Sequence, residues 1–124
     1  MKAGSNWVRW VEIGTLDCFE DARTAITFDI DRDRFLVGFA IRYRGKVHAY
    51  CNRCPHNGSR LDWVEGDVFD ESGRYLICAT HGAVFEPDSG KCVGGPCLNQ
   101  ALVPLDVTID GRRIFVDIRC PVGT

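Results

Sequence analysis

The sequence predicts an all-β fold, a sandwich of short strands carrying a small subdomain on loops inserted late in the chain. Three observations lead there. Seven segments are rich in β-branched and aromatic residues, and several alternate apolar with polar side chains, the pattern of half-buried strands. Two Gly-containing turn dipeptides, Arg44-Gly45 and Asp110-Gly111, punctuate the apolar runs as hairpin connections do. Two short boxes of Cys and His sit on glycine-containing turns, where ligand loops belong.

In chain order the expected strands are Trp7 to Ile13, Thr24 to Ile30, Phe35 to Tyr43, Val47 to Tyr50, Tyr75 to Cys78, Leu102 to Ile109 and Ile114 to Ile118. Leu16 to Arg23 has room for one helical turn. The alternating charges from Asp29 to Arg34 read as a solvated turn, and no repeat or low-complexity segment appears. With 124 residues and 45% hydrophobic side chains, the chain supports one compact domain over 1–124 with a modest core that a metal site would reinforce.

The boxes carry the chemistry. The first is Cys54-Pro55-His56, followed by Asn57-Gly58-Ser59; the second is Cys78-Ala79-Thr80-His81, followed by Gly82. A lone Cys or His is weak evidence, because free cysteine is commonly buried and single histidines usually have ordinary hydrogen-bonded roles. Here both types recur together, twice. Side chains at i and i+2 converge only where the backbone curls, so these ligands sit on loops, and two facing loop tips can hold one metal centre between them.

This arrangement resembles the Rieske-type [2Fe-2S] family, in which each box gives one Cys and one His. The resemblance runs from about Lys46 to Asp117. It is strongest at the first box and at the run Cys78-Ala-Thr-His-Gly-Ala-Val-Phe-Glu-Pro-Asp-Ser-Gly-Lys-Cys92, and a third match is Gly94-Gly95-Pro96, in the family a Pro-containing loop covering the cluster. The resemblance implies one [2Fe-2S] cluster per chain, with Cys54 and Cys78 on one iron and His56 and His81 on the other. The fold it implies is a β-sandwich with a cluster-binding subdomain at about 51–97. Twenty-one residues separate His56 from Cys78, somewhat more than the family's usual segment, and the excess is expected as a surface hairpin at Asp70-Glu71-Ser72-Gly73.

The soluble, low-potential branch fits best. The high-potential branch of cytochrome bc complexes carries an extra Cys in each box, where this chain has Ser59 and Thr80. That branch also has hydroxyl donors after the second His, where this chain has Ala83 and Phe85. Fewer donors toward cluster sulfur disfavour the extra electron, which implies a potential in the lower part of the roughly −150 to +300 mV Rieske span. Two ferric ions, two sulfides and two thiolates sum to zero with neutral imidazoles, so reduction is still easier than in an all-thiolate site.

A structural-zinc reading stands beside this one. Cys51, Cys54, Cys78 and His81 also spell a Cys3His site, making the chain a zinc-stabilised interaction module. It leaves His56 idle and the Gly-Gly-Pro segment unexplained; otherwise Cys51 reads as a small buried residue ending a strand. Of the remaining thiols, Cys92 and Cys97 flank the Gly-Gly-Pro loop, as packed thiols or as a redox-sensing pair, and Cys18 and Cys120 read as plain reduced thiols.

Catalysis by the chain alone is not expected. A mononuclear oxygenase iron needs two more histidines, whereas only His48 remains, and it lies inside a predicted strand. No Gly-rich nucleotide fingerprint follows a strand, so flavin or nicotinamide chemistry belongs to a partner. The expected role is a ferredoxin carrying electrons from a flavin reductase to a terminal oxidoreductase such as an aromatic-ring oxygenase. The alternative is a non-catalytic small subunit resembling those of assimilatory nitrite reductases. A net charge of −2 without a Lys/Arg run argues against nucleic acid or an anionic membrane as partner. The start, Met1-Lys-Ala-Gly-Ser-Asn-Trp7, lacks a secretory signal and no segment is long enough to span a bilayer, so a cytoplasmic location is expected. Asp62, Glu65, Asp67, Asp70 and Glu71 form an acidic stretch read as a solvated loop, with a docking rim anchored by Trp63 as the sharper alternative.

Overall fold

A computed structural model describes residues 10–18, 20–31, 33, 36–55, 58–62, 64–79 and 82–119. The strands are β1 (Trp10–Thr15), β2 (Ile26–Asp31), β3 (Leu36–Tyr43), β4 (Lys46–Cys51), β5 (Leu76–Ile77), β6 (Val84–Phe85), β7 (Cys92–Gly94), β8 (Pro104–Leu105), β9 (Val107–Asp110) and β10 (Arg113–Asp117). One 3-10 turn, Leu16–Cys18, occupies part of the stretch expected to hold a helical turn. The first three residues of the expected first strand, Trp7 to Arg9, lie outside the described residues, as do Phe35 and Cys120.

Three antiparallel sheets result, ordered β1-β10-β9, β2-β3-β4-β8 and β5-β6-β7. Side chains on β3 and β4 alternate between two cores, as the period of two in a strand demands. Phe39, Ile41 and Tyr50 face the small sheet and its loops, in a core with Cys54, Leu61, Leu76, Cys78, Phe85, Cys92 and Cys97. Ala40, Ala49 and Cys51 face the other way, against Ile114 and Val116 of β10. The larger fully buried side chains each contribute roughly 1.5–3 kcal/mol. The middle sheet is therefore shared: one face closes the sandwich and the other is the floor of the loop subdomain.

Both predicted hairpin turns form. Arg44 and Gly45 have positive φ between Tyr43 and Lys46, which pair directly. Their amide N–H groups donate to the Asp21 carboxylate at 3.0 and 2.8 Å. Asp110 pairs with Arg113 across the second turn. The run expected as one strand from Leu102 to Ile109 is instead divided. Pro104–Leu105 pairs with β4, whereas Val107–Asp110 pairs with β10, so the chain changes sheets at Asp106. The Asp106 carbonyl accepts from the Asp117 N–H at 3.0 Å. Strands β6 and β7 fall outside the expected set, because two or three residues set among Gly, Pro and Asp give no readable alternation.

Candidate metal centre

Two loops fold alike. In the first, the Cys54 N–H donates to the Ser59 carbonyl at 2.7 Å and the Gly58 N–H donates back to the Cys54 carbonyl at 2.7 Å. In the second, the Cys78 N–H donates to Ala83 at 2.8 Å and the Gly82 N–H to Cys78 at 2.9 Å. Each loop is thus one closed turn opened by a cysteine and ended by a glycine in the left-handed region, φ 79° at Gly58 and 72° at Gly82, which L side chains enter at a cost. This is the local reason for a Cys four residues before a Gly in both boxes.

Cys54 and Cys78 are both buried and share the core beneath the loops, and neither is in a disulfide. The Ala79 N–H donates to the Leu61 carbonyl at 2.9 Å, tying the second loop to the exit of the first. The third segment, Gly94-Gly95-Pro96, packs on the second loop, since a Cβ on Gly95 would stand 2.8 Å from the Ala83 Cα. His56, His81, Thr80 and Trp63 lie outside the described residues.

The base of the first loop is held by Asn52 and by Asp62 of the acidic stretch. Asn52 is buried, with its N–H bound to the Val37 carbonyl of β3 at 2.9 Å and its Oδ1 accepting from the Leu61 N–H at 2.8 Å. Its Nδ2 donates to Asp62 at 2.8 Å, and Asp62 also accepts from the Gly66 N–H and the Arg60 guanidinium. Burial works to raise the Asp62 carboxyl, but the hydrogen bonds from Arg60, Gly66 and Asn52 outweigh it and hold it below the usual range. Asp62 is therefore an internal anchor rather than part of an acidic rim. Glu65 accepts from the Thr27 hydroxyl at 2.6 Å, and Asp70 closes its own turn through Ser72 and Gly73, as expected for a surface hairpin. Glu65, Asp67 and Glu71 are exposed, as a solvated loop requires, whereas buried Asp62 departs from that reading.

Cys51 ends β4 fully buried, as expected, but its sulfur is disulfide-bonded. It also belongs to the core on the opposite face of β4 from Cys54. A disulfide sulfur is not a thiolate ligand, so the Cys3His zinc arrangement loses one of its donors. Ala83 and Phe85 are fully buried, and neither side chain can donate a hydrogen bond toward a neighbouring sulfur. His48 lies in β4 opposite Ile41, with burial lowering its imidazole against the raising effect of Asp88.

A further thiol lies beyond the two boxes. Cys97 Sγ lies 2.9 Å from Cys92 Sγ, whose own proton goes to the Gly94 carbonyl at 3.1 Å. Cys54 is buried in the same core. Burial first, then these sulfur neighbours, push the Cys97 thiol up to about 12.

A β-sandwich whose central sheet floors two matched Cys-bearing loops under a Pro-containing flap defines a protein built to hold a small inorganic centre. The chain belongs to the Rieske [2Fe-2S] domain family, whose sequence model matches residues 7–116. It is similar to the ferredoxin of carbazole 1,9a-dioxygenase from Nocardioides aromaticivorans IC177, with 26% identity, a TM-score of 0.69, and 87% of this chain and 96% of that one covered. The Sphingomonas yanoikuyae B1 ferredoxin shares the fold at 18% identity and a TM-score of 0.68, covering 88% and 98%. Oxidoreductase NdmD of Pseudomonas putida is 37% identical over 60 residues, 48% of this chain but only 9% of that protein. The cofactor of this family is a [2Fe-2S] cluster, and the paired buried thiols fit it. Among the described residues, no helix is long and apolar enough to cross a membrane.

Proposed function

We propose that the chain is a Rieske-type ferredoxin: a single domain that carries one electron at a time between protein partners and catalyses no reaction alone. The observation that carries this is the pair of like-folded loops with buried cysteines at matching positions, Cys54 and Cys78. In this reading those thiolates hold one iron and His56 and His81 the other. The bound group supplies a one-electron couple that needs no proton or substrate. The chain's own residues do the rest. The Asn52 and Asp62 network fixes the first loop, the Gly95 contact seats the flap on the second, and Phe85, Leu61 and Leu76 keep water from the thiolate side.

The donor is proposed to be a flavin reductase and the acceptor a terminal oxygenase, in the cytoplasm. The likeness to a dioxygenase ferredoxin over nearly its whole length supports the acceptor class. A second reading, a non-catalytic component of a larger oxidoreductase, is favoured by the match to a short stretch of a far longer protein. Anaerobic purification followed by dithionite titration tests the carrier role. The expected result is two irons and two labile sulfides per chain, one electron taken up, and reoxidation by cytochrome c. Zinc in place of iron, or failure to reoxidise, would refute it. Co-purification with a large chain would select the second reading.

A further inference from the structure

We propose that Cys92 and Cys97 are an oxidative modification site: under a peroxide their thiols join in a reversible disulfide that clasps the base of the Gly94-Gly95-Pro96 flap. The bond itself is independent of the ligand assignment above; only its effect on iron retention rests on that reading.

The two sulfurs lie 2.9 Å apart, both residues are buried, and neither is in a disulfide. Bonded sulfurs stand about 2.05 Å apart, so closure from 2.9 Å takes a shift of about 0.9 Å, within reach of side-chain rotation. The backbone has already brought the pair together. Cys92 lies in β7 opposite Phe85 of β6, and its N–H donates to the Gln100 carbonyl at 2.8 Å. The Gln100 N–H in turn donates to the Cys97 carbonyl at 2.9 Å, which folds the segment into a loop with both cysteines at its base. A cysteine that only fills core space packs against carbon, whereas these two face each other across a hydrogen bond. The cover over them is thin. Val93 and Leu98, the residues directly after each cysteine, are 40% and 56% exposed, so a small oxidant has only the flap to pass. The pair is not a second metal cradle, for no three candidate ligands converge on one ion among the described residues.

The order of events follows from the hydrogen bonds. Cys97 donates to Cys92 Sγ, so Cys92 has the donor that favours a nucleophilic sulfur and reacts first. Its sulfur attacks one peroxide oxygen, the O–O bond breaks, and the Cys92 proton leaves with the released hydroxide as water. The Cys97 sulfur then attacks the resulting sulfenic sulfur, the S–O bond breaks, and the Cys97 proton leaves in a second water. The dithiol gives up two electrons and the peroxide accepts them. Cys92 belongs to a strand, whereas Cys97 lies in a turn, so the new bond ties the irregular end of the flap to β7 and through it to β6. Between them Gly95 already rests on Ala83 of the second ligand loop. Oxidation therefore holds the flap down over that loop.

Titration of the reduced holoprotein with hydrogen peroxide, followed by alkylation and tryptic mapping, tests this. Cleavage after Lys91 and Arg112 leaves both thiols in one peptide, 92–112. Before peroxide that peptide should take up two alkyl groups. Afterwards, and before the visible spectrum is lost, it should take up none and be lighter by two hydrogens, and dithiothreitol should restore both sites. Cys97→Ser should instead stop at a Cys92 sulfenic acid that dimedone captures. Iron release to a ferrous chelator should be slower from the oxidised parent than from the reduced one, by about twofold or more. A peptide that keeps both alkylation sites while the spectrum bleaches would overturn the proposal. So would oxidation of either sulfur to a sulfinic or sulfonic acid with no disulfide, or equal iron release from the two forms. If Cys97→Ser does not fold, the parent's peptide map decides alone. Failure of the carrier reading looks different: the parent would lack iron, while the map would still read the disulfide.

Discussion

Removing the Asp62 carboxylate should loosen the first ligand loop more than any other single change among the acidic residues between the boxes. Asp62 is 5% exposed and accepts from Asn52 Nδ2 at 2.8 Å, the Gly66 N–H at 2.9 Å, and Arg60 Nε and Nη2 at 3.1 and 3.2 Å. In Asp62→Ala the Asn52 and Gly66 donors stay buried without a partner, at about 1–3 kcal/mol each. The Arg60 side chain is 44% exposed, so solvent screens its pair and its loss adds about 0.5 kcal/mol. The total is about 2.5–6.5 kcal/mol. At about 4 °C per kcal/mol for a domain of this size, Tm should fall by about 10–26 °C. Thermal unfolding followed by circular dichroism, with bleaching of the visible spectrum as a local probe, reads both effects. Exposed Asp67, changed to Ala, is the control and should move Tm by no more than about 2 °C. The pH dependence has a fixed sign. Because the folded carboxyl lies below its ordinary value, its stabilisation is present above the unfolded pKa of about 3.9 and lost as pH falls through the folded value. The parent's advantage over Asp62→Asn should accordingly shrink below about pH 4. An Asp62→Ala protein within about 3 °C of the Asp67→Ala control would refute the anchoring argument.

Other substitutions probe the remaining contacts. Gly95→Ala places a Cβ 2.8 Å from the Ala83 Cα and 3.2 Å from the Gly82 carbonyl oxygen, at φ 89°, so the flap must lift. A cost of about 1–3 kcal/mol and faster bleaching in air are expected, measured by visible absorbance against time. Ala83→Ser or Phe85→Tyr should raise the midpoint potential if the new hydroxyl reaches sulfur, with redox titration as the measurement. His56→Ala and His81→Ala should abolish the visible spectrum, whereas His48→Ala should preserve it. The reverse pattern would overturn the proposed ligand set.

Much of the architecture is readable because it rests on short-range rules. The β3–β4 hairpin follows from two alternating apolar runs around Arg44-Gly45, and the matched loops from a Cys four residues before a Gly. What the sequence hides depends on contacts across the fold. Asp62 looks like one charge in an acidic stretch, and nothing in its spacing from Asn52 announces a buried pairing. The division of the last long apolar run at Asp106 reflects two sheets competing for one segment, which local pattern cannot express. Cys51 fits a small core residue by type and position, yet forms a disulfide. The seating of Gly95 on Ala83 joins the flap to the second loop, a contact that spacing alone does not announce.

Pulsed paramagnetic resonance of the dithionite-reduced protein, prepared without oxygen, interrogates the ligand asymmetry itself. Couplings from two imidazole nitrogens should appear. A reduced centre that shows no nitrogen coupling would contradict the assignment of His56 and His81 to one iron.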